Sequence, residues 1–222
     1  MSMSQSAMDP SPQLIDGPTK APATLLLAHG AGAPMDSPFM AAMANGLAAS
    51  GWRVVRFEFA YMTKQRLSGR RSAPDRMPKL KQVFCEQVER EVANGPLFIG
   101  GKSMGGRVAS LLADELATSA DMLGCICLGY PFHPLGKPQQ LRTEHLVEQK
   151  TATLILQGER DGMGRKDEVE TYTLSPKVSL QWITAGDHSF KPTKSSGLTE
   201  ADNWAAAVKH TDQFCKQLLV DA

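Results

Sequence analysis

Short apolar runs that each close on a turn, and mostly feed a helix-prone stretch, set the strongest constraint on how this chain folds. Thr24-Leu25-Leu26-Leu27-Ala28-His29 ends at Gly30-Ala31-Gly32, as a strand buried on both faces and stopped by a tight turn would. Further strands are predicted at Arg53 to Phe59, Pro96 to Gly100, Met122 to Leu128, Ala152 to Gln157 and Val178 to Ile183. Helices are predicted at Phe39 to Ala49, Pro78 to Ala93, Ser103 to Ala117, Lys166 to Thr173 and Glu200 to Leu219. The first follows Asp36-Ser37-Pro38, a cap and an early helical proline, and stops at Ser50-Gly51. Six strands alternating with helices imply an α/β domain built on a mainly parallel sheet with helices on both faces. No repeat or linker divides residues 22–222, which read as a single domain; residues 1–21, rich in Ser, Pro, Met and Asp, read as a flexible leader.

Composition excludes several function classes. The 24 Lys plus Arg against 23 Asp plus Glu leave a net charge of +1, too little to hold nucleic acid or an anionic membrane. No secretory signal opens the chain and no apolar run suffices to span a bilayer, so a soluble, cytoplasmic protein is expected. Cys85, Cys125, Cys127 and Cys215 are scattered in mostly apolar sequence and read as reduced core residues, with no zinc-ligand spacing around them. At 222 residues the chain can bury roughly 70% of its unfolded surface, so it needs no metal or disulfide to fold.

Gly101-Lys102-Ser103-Met104-Gly105 contains G-x-S-x-G between a predicted strand and a predicted helix. Such an elbow presents its serine on a strained turn, and only small neighbours let strand and helix come that close. Ser103 is therefore the candidate nucleophile. The N–H of Met104, lacking an intrahelical partner, can donate to an oxyanion. Lys102-Ser103 does not complete a Walker A loop, because Pro96 stands where the first glycine is needed. His29-Gly30-Ala31-Gly32 offers a second donor in the Ala31 N–H, with His29 orienting the loop and counted as a candidate substrate-binding residue. Gln157-Gly158-Glu159-Arg160-Asp161-Gly162 follows the fifth strand and offers Asp161 as the acid, with Glu159 and Asp187 as competitors. Ala185-Gly186-Asp187-His188 follows the sixth and offers His188 as general base. Two long segments after strands, Tyr61 to Met77 and Tyr130 to Glu148, border the crevice where an α/β sheet binds ligands. In the first, Arg70 and Arg71 are candidates for binding an anionic substrate group; in the second, Phe132 is a candidate pocket-lining residue.

The order nucleophile, acid, histidine along the chain resembles the α/β-hydrolase superfamily. The set His29-Gly30-Ala31-Gly32, Gly69-Arg70-Arg71 with Pro74-Asp75-Arg76, Gly101 to Arg107, Gly129-Tyr130-Pro131 with Gly136-Lys137-Pro138, Gln157-Gly158 with Asp161, and Gly186-Asp187-His188 narrows it further. It is similar to the small bacterial hydrolases grouped with testis-expressed protein 30 and the third regulatory subunit of the NSL complex. The resemblance runs from about Ala23 to Leu219 and departs at Gly162-Met163, where Pro-Phe is expected after the acid. It implies a compact hydrolase fold without a large lid and a Ser103, His188, Asp161 triad. The function expected is a serine hydrolase acting on a small-molecule ester or thioester without cofactor or metal. The alternative is a non-catalytic hydrolase-fold scaffold. The sequence leaves the oligomeric state open.

Overall fold

A computed structural model describes residues 11–220. Seven strands form one sheet in the order β1-β3-β2-β4-β5-β6-β7. They are β1 (Gln13–Asp16), β2 (Thr24–Ala28), β3 (Arg53–Phe57), β4 (Leu97–Lys102), β5 (Met122–Leu128), β6 (Thr153–Gly158) and β7 (Val178–Ile183). All neighbours pair in parallel except β1, which runs antiparallel to β3. The helices are α1 (Pro38–Ala49), α2 (Ala60–Ser68), α3 (Met77–Glu91), α4 (Met104–Ser110), α5 (Ala113–Leu116), α6 (Glu144–Val147), α7 (Lys166–Val169) and α8 (Glu200–Val220). Among the described residues, no helix is long and apolar enough to cross a membrane.

The alternation of side chains along each strand divides the core in two. Leu26, Val55, Phe57, Ile99, Cys125, Cys127 and Ile155 face one side, packed under α3 and α4 through Leu80, Phe84 and Val108. Leu25, Leu27, Val54, Phe98, Ile126 and Leu156 face the other, covered by α1 and α8 through Met40, Met43, Leu47 and Ala207. Cys125 and Cys127 thus point the same way, as two residues spaced by two on a strand must, and all four cysteines are free.

Three sequence expectations change. The predicted leader over 1–21 contains β1, while residues 1–10 lie outside the described residues. This short edge strand is held by polar groups: Asp16 pairs with the buried Arg56 at 2.8 Å, and Gln13 Nε2 donates to Gln87 and Glu91. The Tyr61 to Met77 segment begins as a helix, since Tyr61 and Met62 bury against the core and Gly69 caps its end in the left-handed conformation. The helix expected from Ser103 to Ala117 is interrupted at Leu111 and Leu112, giving α4 and α5. Among the described residues no large lid covers the C-terminal ends of the strands; the crossover from β5 to β6 carries only α6.

Candidate active site

β4 ends at Lys102 and α4 starts at Met104, so Ser103 makes the whole turn between them, at φ 51° and ψ −114°. A non-glycine residue held there stores about 1–3 kcal/mol of backbone strain, offset by surrounding order such as the Ser103 N–H bond to Leu128 O at 3.0 Å. α4 also sits hard against the end of β2. A Cβ on Gly105 would lie 2.5 Å from Ala28 O and 2.6 Å from His29 O, so the small residue in the motif answers a close approach.

Ser103 Oγ lies 2.8 Å from His188 Nε2, and His188 Nδ1 lies 2.6 Å from Asp161 Oδ2. A carboxylate only accepts, so Nδ1 carries the proton and Nε2 is left to accept from the Ser103 hydroxyl. Asp161 is fully buried and also accepts from Gln157 Nε2 at 2.8 Å and the Met163 N–H at 2.9 Å. Its competitors are occupied elsewhere. Glu159 accepts from the Ala185 N–H at 2.8 Å and pairs with Lys166 at 3.1 Å; Asp187 Oδ1 accepts from the N–H groups of Ser189 and Lys191 at 2.8 and 3.0 Å. The Glu159 carboxyl accordingly sits below the usual range, chiefly through the Ala185 N–H.

The His188 loop is tied down from three sides. Lys102 Nζ donates to His188 O at 2.5 Å, Trp204 Nε1 to Ser189 O at 3.1 Å, and Asn203 Nδ2 to Phe190 O at 2.7 Å. Gly129 makes room for the first of these: its φ is +66°, and a Cβ there would lie 2.6 Å from His188 O and 2.8 Å from Lys102 Nζ. Burial pushes the Lys102 ammonium down to about 8, against the pull of Asp161 and Asp187. Burial likewise lowers the His188 imidazole; the Asp161 hydrogen bond opposes this and the Lys102 charge adds to it. His188 is therefore poised as a neutral proton acceptor.

Ser103 and His188 open into a cavity of about 860 Å³. Ala31 and Met104 line it with the serine, and Met40, Met77 and Leu80 give it an apolar wall. The α/β hydrolase domain model matches residues 21–216. The chain belongs to the α/β-hydrolase family. Solved structures share its fold at low identity. A dienelactone hydrolase from Anabaena variabilis superposes with TM-score 0.69 at 19% identity, covering 92% of this chain and 90% of its own. An α/β serine hydrolase homologue from Coxiella burnetii gives 0.66 at 17%, covering 89% and 90%. A member of the α/β serine hydrolases without lid, from Xanthomonas campestris, gives 0.64 at 20%, covering 91% and 94%.

Within this hydrolase fold the remaining predicted site residues part company. His29 is fully buried behind the cavity wall; its Nδ1 bonds Gly30 O at 2.6 Å and its Nε2 accepts from the Phe59 N–H at 3.1 Å. It shapes the Gly30 turn and cannot reach a substrate. Arg70 and Arg71 are exposed beyond the end of α2 and do not line the cavity, because Gly69 turns the chain outward there. Phe132 is fully buried, packed edge-on against Tyr130, so Pro131 lines the cavity instead. Sequence reasoning missed Lys102 as a brace and Gln157 as the Asp161 donor. Both lie in the quoted motifs, but only the fold shows where they aim. It also missed the cavity arginines Arg107 and Arg142, which have no charged sequence neighbours to draw the eye.

Proposed function

We propose that this α/β-hydrolase is a serine hydrolase cleaving a small-molecule carboxylic ester or thioester through an acyl-enzyme. The supporting observation is the unbroken hydrogen-bonded line Ser103–His188–Asp161, with Ser103 held in strained backbone at the cavity wall. In acylation, Ser103 Oγ bonds the substrate carbonyl carbon as its proton passes to His188 Nε2. The tetrahedral intermediate then collapses, the carbonyl carbon loses its bond to the alkoxide or thiolate, and His188 returns that proton to the leaving group. Water repeats the sequence on the acyl-enzyme, giving the acid and free Ser103. Asp161 fixes the imidazole and stabilises the imidazolium. The N–H groups of Ala31 and Met104 are the proposed oxyanion donors, each worth about 3 kcal/mol in comparable sites. The finer grouping with the testis-expressed protein 30 relatives belongs to the same proposal.

Intact mass after treatment with a fluorophosphonate tests this reading. A single adduct on the wild type and none on Ser103→Ala is expected, together with loss of activated-ester turnover in the variant. Absence of an adduct on the folded wild type would remove the proposed nucleophile and favour a binding role.

A further inference from the structure

The Arg107 N–H donates to Ser103 O at 3.0 Å across the first turn of α4, and both residues line the cavity. Arg142 enters the same cavity from the crossover between β5 and β6. Its backbone is pinned on both sides: its N–H donates to Phe132 O at 2.8 Å and its carbonyl accepts from the Tyr130 hydroxyl at 2.8 Å. Neither arginine pairs with a carboxylate among the described residues, and Arg107 Nε is buried without a hydrogen-bond partner. The acids of the cavity wall do not answer them. Asp75 accepts from the Tyr61 N–H at 3.1 Å and pairs with Lys79 at 3.0 Å, and Glu200 forms no ion pair with either guanidinium.

We infer that Arg107 and Arg142 form an anion subsite beside Ser103, which receives a carboxylate or phosphate group carried by the substrate. Two guanidinium groups lining one partly desolvated cavity repel each other, and an oxyanion held between them relieves the repulsion. Burial and then the nearby Arg107 lower the Arg142 pKa, and burial followed by Arg107 pushes His145 down to about 4. Arg107 sits one helical turn beyond Ser103, so the anion lies a short chain away from the scissile carbonyl. A half-ester of a short dicarboxylic acid, or its phosphate counterpart, has that spacing. The substrate class rests on the serine hydrolase reading; the anion subsite does not.

The test therefore has a catalytic and a binding arm. The first compares kcat/KM for mono-4-nitrophenyl glutarate and 4-nitrophenyl butyrate in wild type, Arg107→Gln, Arg142→Gln and Arg142→Lys. The ratio of anionic to neutral ester should fall about tenfold or more in each Gln variant, the loss expected for one charge-assisted hydrogen bond, with partial recovery in Arg142→Lys. The second arm measures glutarate and inorganic phosphate binding by calorimetry to Ser103→Ala, with and without Arg142→Gln. Weaker binding of at least one anion in the double variant is expected, and the tighter of the two identifies the group. Binding and ester ratios both indifferent to the arginines would overturn the subsite. Arginine-dependent binding with no turnover of either ester by wild type would keep the subsite and reject hydrolysis.

Discussion

The turns that follow β6 and β7 both carry acids beside main-chain N–H groups, yet they spend them differently. Asp161 alone reaches the imidazole, from a fully buried position reinforced by Gln157 and the Met163 N–H. Glu159, two residues earlier, reaches across to the Ala185 N–H and ties one turn to the other. Asp187, adjacent to His188, folds back on its own turn through Ser189 and Lys191. Nearness in sequence to the histidine thus does not select its carboxylate partner. The selected acid lies on the neighbouring parallel strand's turn, which can face the imidazole; the acid beside it is already bent into shaping the chain.

Asp161→Asn is the sharpest way to break that contrast. It should lower kcat by about 10³–10⁴-fold, as loss of the orienting carboxylate does in comparable sites, while thermal unfolding shows a folded protein. An equal loss from Asp187→Asn or Glu159→Gln would show the assignment to be wrong. Asp187→Ala comes next, because two main-chain donors lose their acceptor and the His188 turn loosens. Stability should fall by about 1–3 kcal/mol in chemical denaturation, and kcat by about tenfold to a hundredfold through misplacement of the base.

Lys102→Met acts on protonation. In the proposed mechanism His188 must be neutral to accept the Ser103 proton, so kcat/KM should rise with pH through the His188 pKa, and burial with the Lys102 charge places that limb below the ordinary histidine value of 6.5. Removing the cation favours the imidazolium, so the acid limb should move to higher pH in a pH–rate profile; a limb that stays put or moves down would separate Lys102 from the imidazole. The smallest effect belongs to Glu159→Gln. Its pair with Lys166 is partly exposed, so denaturation should show a loss of about 1 kcal/mol or less, with little change in rate.

Much of the fold was legible because buried parallel strands leave uninterrupted apolar runs: Thr24 to Ala28 and Met122 to Leu128 need no context to be read. Gln13–Asp16 left no such trace, since an edge strand with two exposed residues draws its order from backbone pairing and the Arg56 contact. The helix at Ala60 to Ser68 hid beneath Lys64 and Arg66, the latter bridging Asp36 and the buried Glu58. Ser103, Asp161 and His188 could be picked out because each follows a strand in chain order, and the structure brings them together. The arginines show the opposite case. Arg70 and Arg71 attract attention as neighbours in sequence and stand in solvent; Arg107 and Arg142 lie thirty-five residues apart and come to line one cavity only once the sheet is built.

The antiparallel pairing of β1 has a practical consequence for handling the protein. With Gln13–Asp16 removed, the outer row of β3 amides and carbonyls would face water as an unprotected template for another chain, and the buried Arg56 would lose its counter-charge. Shortening the N-terminus past Asp16 should therefore show itself first as self-association on a sizing column, before any change at the distant serine.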